Sequence, residues 1–192
     1  MLSLLLIWSL FLDTHPTSET SRNQPGEPVT ASTPSLERVR SDNPVIAAAI
    51  RNAPAGSATL RRLLERISVT DGLIYVDEGQ CGHSVRACLV LTITVAGPHR
   101  VLRILVNTRK AGDHLAEAIG HELQHALEVL SEPAITSSHQ VFHFFLRVGP
   151  TGSERFETEE AVKVGMNIGA ELRAYKALRS MRALMPADFS RP

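Results

Sequence analysis

The sequence predicts an α+β domain in which a small antiparallel or mixed sheet packs on one long helix, with a second long helix downstream. Three observations carry this. Apolar residues recur at helical spacing before and after a middle block, and inside that block β-branched residues dominate and the period drops to two. Gly97-Pro98-His99-Arg100 interrupts the block as a turn between two strand-like runs. The apolar residues Leu115, Ile119, Leu123, Leu127 and Leu130 then step along one face of a sixteen-residue helical stretch.

Composition bounds the possibilities. The chain has 192 residues, enough for one domain with a proper core, and a formal net charge of zero. No basic field argues for nucleic acid, and aromatic residues, at 5%, are too few for a base-stacking platform. Residues 1–12 are almost wholly apolar, too short for a relaxed bilayer span but suited to a signal-peptide core or an N-terminal membrane anchor. They lack a preceding Lys or Arg and a following small-x-small cleavage site. Residues 13–43 hold Pro16, Pro25, Pro28 and Pro34 among Ser, Thr and Glu, a composition expected to form a disordered linker. The folded domain is expected over residues 44–192. Cys81 and Cys88 are close enough for a disulfide across a turn and too widely spaced for a Cys-x2-Cys zinc knuckle. A disulfide there, like the apolar N-terminus, fits an exported protein, periplasmic or secreted.

In order, Val45–Ile50 reads as a short helix, and Ser57 caps a second one over Ala58–Ile67, with Leu60, Leu63, Leu64 and Ile67 inward. Leu73–Val76, Ala87–Ala96 and Val101–Asn107 read as strands, the last two as an antiparallel hairpin. In the third, Leu102, Ile104 and Val106 form an apolar face opposite Arg103. Asp113 is the expected cap of the long helix from His114 to Leu130. Ser137 or Ser138 caps a further helix to Arg147 with Val141, Phe142, Phe145 and Leu146 inward. Thr158 caps the last, from Glu159 to about Met185, with Ala161, Val164, Ile168, Leu172 and Tyr175 on one face.

The chemistry lies on the long helix. His121-Glu122-Leu123-Gln124-His125 places two imidazoles four residues apart, one above the other, with a carboxylate beside the first. Eight His and fourteen Glu give this H-E-x-x-H pattern in about two per cent of shuffled copies, so its fall on a helix after a strand is informative. His121 and His125 supply two ligands of a zinc site. Such a metal lowers the pKa of a bound water toward neutrality, and Glu122 is placed to act as general base. Gly120 permits another element to approach this turn closely. The third ligand is open among Glu128, Glu157, Glu160 and Glu171. Glu128, one turn beyond His125, suits orienting that ring better than wrapping the ion from the same straight helix. His139 and His143 are also four apart and could form a second metal site. His143 could instead stabilise an oxyanion, though its aromatic neighbours favour a core or boundary position. Tyr175 could donate to an oxyanion but falls on an apolar face.

The motif followed by Arg155-Phe156-Glu157-Thr158 resembles zincin-type metallopeptidases of the gluzincin branch, including thermolysin-like and CAAX-prenyl-protease-like enzymes. That resemblance implies a minimal zincin-like domain and a third ligand from a Glu on the downstream helix, which points to Glu157. It departs from the prenyl-protease pattern in that Ala161 comes one residue late and the following Asp is missing. Residues 44–172 are also similar to small bacterial proteins with a Gly-His-Glu-Leu-Gln-His-Ala-x-Glu core and a Phe-Glu-Thr segment. The implied activity is zinc-dependent peptide-bond hydrolysis of a peptide or protein substrate, paired by strand addition to an edge strand, for which Val101–Asn107 is the candidate by order. The alternative is a catalytically inactive zinc-binding or partner-binding domain of the same fold.

Overall fold

The computed structural model describes residues 38–82, 85–149 and 156–184. The apolar N-terminus, most of the proposed linker, and His83, Ser153 and Arg155 lie outside the described residues. Among the described residues four strands, β1 (Val39–Arg40), β2 (Gly72–Glu78), β3 (Ala87–Ala96) and β4 (His99–Val106), combine with six helices. The helices are α1 (Pro44–Asn52), α2 (Ala58–Ser68), α3 (Thr108–Ala111), α4 (Leu115–Leu130), α5 (Ser138–Val148) and α6 (Glu159–Leu184). The result is a mixed α+β domain with a four-stranded mixed sheet of order β1-β2-β4-β3. β1, β2 and β4 are parallel, and β3 runs antiparallel to β4.

Local chemistry explains the helix starts. The Asn43 side chain accepts from the amides of Val45 and Ile46, with Pro44 at the first helical position. Ser57 accepts from the Leu60 amide and Thr158 from the Ala161 amide, as expected. Asn107 ends the hairpin and caps α3 through the Lys110 amide. That short helix and the following 3-10 turn shift the start of α4 to Leu115, with His114 rather than Asp113 in the capping position.

The core is the apolar face of the sheet against α4. Leu102, Ile104 and Val106 of β4 are fully buried, as are Ile74 and Val76 of β2. Ile119 and Leu123 of α4 meet them, while Leu60, Leu64 and Ile67 of α2 and Ile168 of α6 close the other sides. Gly120 has the expected role: a Cβ there would collide with Ile168, so α4 and α6 cross at the glycine.

Several expectations need correction. Val39–Arg40 pairs with Ile74 and Tyr75, so the folded part begins inside the stretch assigned to the linker. Val101–Asn107 is not an edge strand. β4 is hydrogen-bonded on both sides, and the edge beside α4 is β3, because β2 reaches over to pair with β4 rather than with its sequence neighbour. A bulge between Val90 and Ile93 interrupts the β3–β4 ladder. On α5 the buried residues are Val141, Phe144 and Phe145, whereas Phe142 and Leu146 are 40% and 54% exposed. The stripe is rotated toward β3, on which α5 packs, and toward His125 of α4, which Phe145 meets.

Arg100, which the sequence places in a turn, belongs to β4 and is 4% exposed. Its guanidinium grips the Asp71 carboxylate (2.7–3.1 Å) and donates to the carbonyls of Leu130 at 2.7 Å, Glu132 at 2.8 Å, Ile135 at 3.2 Å and Val129 at 3.3 Å. It therefore closes the C-terminus of α4, where unpaired carbonyls and the negative end of the helix dipole converge. The hydrogen bonds from Arg100 hold the Asp71 carboxyl below the usual range.

Candidate metal centre

Two elements build the site. α4 carries His121 and His125 one turn apart, and the segment entering α6 brings Glu157 to them. One donor atom from each of the three lies within 4.8 Å of the other two, a group that could hold a metal ion. His121 Nε2 is 3.3 Å from Glu157 Oε2. That one spacing is close to the roughly 3.3 Å between ligands about 2 Å from a tetrahedral ion, while the three donors as a set span up to 4.8 Å.

The surroundings aim these donors. His125 is 5% exposed and its ring stands edge-on to Phe145, with centroids 5.3 Å apart. Its Nδ1 lies 3.2 Å from Glu128 Oε2, which leaves Nε2 as the ligating nitrogen. Glu128 in turn accepts from Thr158 Oγ1 at 2.9 Å and Gln124 Nε2 at 3.3 Å. Thr158 thus works twice, capping α6 and bracing the partner of His125, and it fixes its neighbour Glu157 in the process. Burial pushes the Glu128 carboxyl up, but the hydrogen bonds from His125, Thr158 and Gln124 outweigh it and hold the group below its ordinary value. Phe156 takes φ +52, rare for a residue with a Cβ, and its ring rests on Phe142, with centroids 5.3 Å apart. This turn delivers Glu157 to the histidines. Gly165 clears the other side: a Cβ there would lie 3.2 Å from His121 Cβ.

The electrostatics favour a cation. Burial pulls the His121 pKa down, yet the Glu157 hydrogen bond and the charges of Glu122, Glu157 and Glu128 more than reverse it, so the ring binds its proton more tightly than usual. Glu122 is 7% exposed, and its Oε2 accepts from the Leu89 amide of β3 at 2.7 Å. Burial raises its pKa against the opposing effect of His121 and His125. A cleft of about 260 Å³ opens beside the cluster, walled by Arg86, Glu117, Val162 and Met166 with His121, Glu122 and Glu157 at its side.

The remaining candidates sort cleanly. Glu128 has the supporting position argued from its place on the helix. Glu171 is not a ligand: it caps α2, accepting from Ser57 Oγ at 2.6 Å, the Thr59 amide at 3.0 Å and Thr59 Oγ1 at 2.8 Å. Tyr175 packs against Gly56, where a Cβ would come within 2.6 Å of its ring. It stands ten residues beyond Gly165, about 15 Å along α6, and so lies away from the cluster. His143 is exposed rather than at a boundary, because the inward stripe of α5 is Val141, Phe144 and Phe145; its Nε2 faces His139 Nε2 at 2.9 Å. Cys81 and Cys88 form the expected disulfide, with Cα atoms 5.8 Å apart, tying down the loop that enters β3. The contribution of Thr158 to the site went unread, since an N-cap threonine looks complete with its own helix. The Leu89 amide is a backbone group and leaves no trace in side-chain chemistry.

The chain's own geometry therefore defines an α+β domain that carries a His-His-Glu donor cluster at the junction of two helices and a sheet edge. Compared with protein-family models, curated proteins and solved structures, the chain matches none.

Proposed function

We propose that this chain is a small zinc metallopeptidase of zincin-like architecture, with His121, His125 and Glu157 as ligands. The observation that supports it is the convergence of those three donors next to Glu122, with Glu128 setting the tautomer of His125. Zinc held there would supply a Lewis acid, making water nucleophilic near neutral pH and polarising a carbonyl. Glu122 takes the proton from the attacking water and returns it to the leaving amine. The Leu89 amide holds Oε2 of Glu122, leaving Oε1 for a water in the cleft that Glu122 helps to line. Burial keeps the basicity of Glu122 above that of a free carboxylate, as a general base requires.

The substrate is a peptide or protein segment bound in extended form. The strand it would extend is β3, not β4: its outer edge passes Glu122, and Ala87 lines the cleft. Export fits the disulfide, which persists in an oxidising compartment. No described helix is long and apolar enough to cross a membrane, so membrane tethering rests on residues 1–12.

A second reading, a zinc-binding domain without turnover, is favoured by one observation: the Glu122 carboxylate is already engaged by the Leu89 amide in a nearly closed position. Metal content and hydrolysis separate the two. The purified chain is expected to hold about one equivalent of zinc. Glu122→Gln should keep the metal and lose at least about a hundredfold in peptide hydrolysis. Zinc without any hydrolysis by the unsubstituted chain would favour the second reading, and a chain that binds no zinc would overturn both.

A further inference from the structure

We propose that His139 and His143 on the outer face of α5 form a second metal site, a two-imidazole chelate for Cu2+ or Ni2+, separate from the cluster on α4 and α6. The two residues are one helical turn apart, so their rings converge, and their Nε2 atoms stand 2.9 Å apart with centroids at 4.1 Å. Both side chains are exposed, so an ion reaches them without any rearrangement of the core.

Two imidazoles one helical turn apart supply two nitrogens to one side of an ion, as adjacent positions of a tetragonal site require. Tetragonal geometry with imidazole ligands suits Cu2+ and Ni2+, and the general affinity order places Cu2+ first. In the metal-free pair, one ring donates Nε2–H to the other. On binding, that proton moves to Nδ1 of the same ring, both Nε2 lone pairs face the ion, and neither ring changes charge. Water fills the remaining positions, which makes the site weaker than a three-ligand centre.

The test is a Cu2+ titration of the full chain against His139→Gln, His143→Gln and the double variant, followed by calorimetry and by electron paramagnetic resonance. Glutamine is a good helix former and both positions are exposed, so α5 should persist, with circular dichroism as the check. Copper that enters the α4–α6 cluster is common to all four proteins and cancels in the comparison. Each single substitution is expected to weaken the α5 site by roughly tenfold or more and to reduce its nitrogen hyperfine pattern from two rings to one. The double variant should lose one Cu2+ equivalent. Unchanged stoichiometry and affinity in the double variant would overturn the proposal, leaving the pair as a hydrogen-bonded couple only.

Discussion

Replacing Arg100 with Met tests whether the helix that carries the two histidines is held from its far end. The substitution keeps most of the aliphatic stem and removes the guanidinium. Of the four carbonyls that accept from Arg100, two keep a backbone donor: Val129 from the Glu132 amide and Glu132 from the Ile135 amide. The carbonyls of Leu130 and Ile135 accept from Arg100 alone among the described residues. Leaving two buried carbonyls without a partner costs about 1–3 kcal/mol each, and the packing of the methionine offsets part of this. Asp71 is 42% exposed, so its carboxylate rehydrates and adds less than about 1 kcal/mol. The expected loss is about 2–4 kcal/mol, a large part of the roughly 5–15 kcal/mol that stabilises a domain of this size. In urea, with the disulfide intact, the midpoint should fall with an unchanged slope, and Tm should drop by on the order of 10 °C. Arg100→Lys should fall between the two, since one ammonium cannot span the same acceptors. If Arg100→Met unfolds within about 0.5 kcal/mol of the unsubstituted chain, the cap contributes no net stability and this reasoning fails.

Two further outcomes follow from the same contacts. Glu171 is held charged: burial works against the carboxylate, but the bonds from Ser57 and Thr59 and the charge of Arg62 overcome it, and its folded pKa lies below the unfolded one. A depressed carboxyl pKa contributes stability above its unfolded value, near pH 4.3, which is lost as pH falls through the folded value. Glu171→Gln should therefore destabilise by at most about 1 kcal/mol at pH 7, since solvent screens the charge and glutamine keeps one acceptor oxygen, and the difference should shrink toward pH 3; a pH-independent difference would show that charge is not its cause. Glu128→Ala should leave His121, His125 and Glu157 in place yet lower zinc affinity by roughly tenfold to a hundredfold in a chelator competition, and unchanged affinity would remove its role in orienting His125.

Several helices were readable because their caps are local: Ser57, Ser137 and Thr158 each bond an amide three residues on, and such bonds follow from residue type and spacing. The two histidines were readable for the same reason, since helix geometry alone superposes them. What escaped was decided by tertiary partners. The strand order depends on β2 reaching past β3 to pair with β4, and no alternation pattern states which neighbour a strand selects. Arg100 sits two positions past a Gly-Pro turn, where solvent is the default; only the arrival of the α4 C-terminus makes it an interior residue. Glu171 reads from sequence as a candidate ligand, and only the N-terminus of α2 beside it makes it a helix cap. Glu157 came from resemblance rather than from pattern, and the backbone turn at Phe156 that delivers it has no signature in residue types, since phenylalanine rarely adopts that conformation.

The bulge in β3 has a bearing on solubility. An outermost strand of ten residues, ending in the exposed Thr94, Val95 and Ala96, would offer a second molecule a long, flat seam on which to zip. The irregularity between Val90 and Ile93 twists that seam midway, so two copies cannot lie flush along it. Deleting Leu91 and Thr92, the two residues in excess between Val90 and Ile93, would regularise the ladder, and the expected result is a protein that self-associates through this rim.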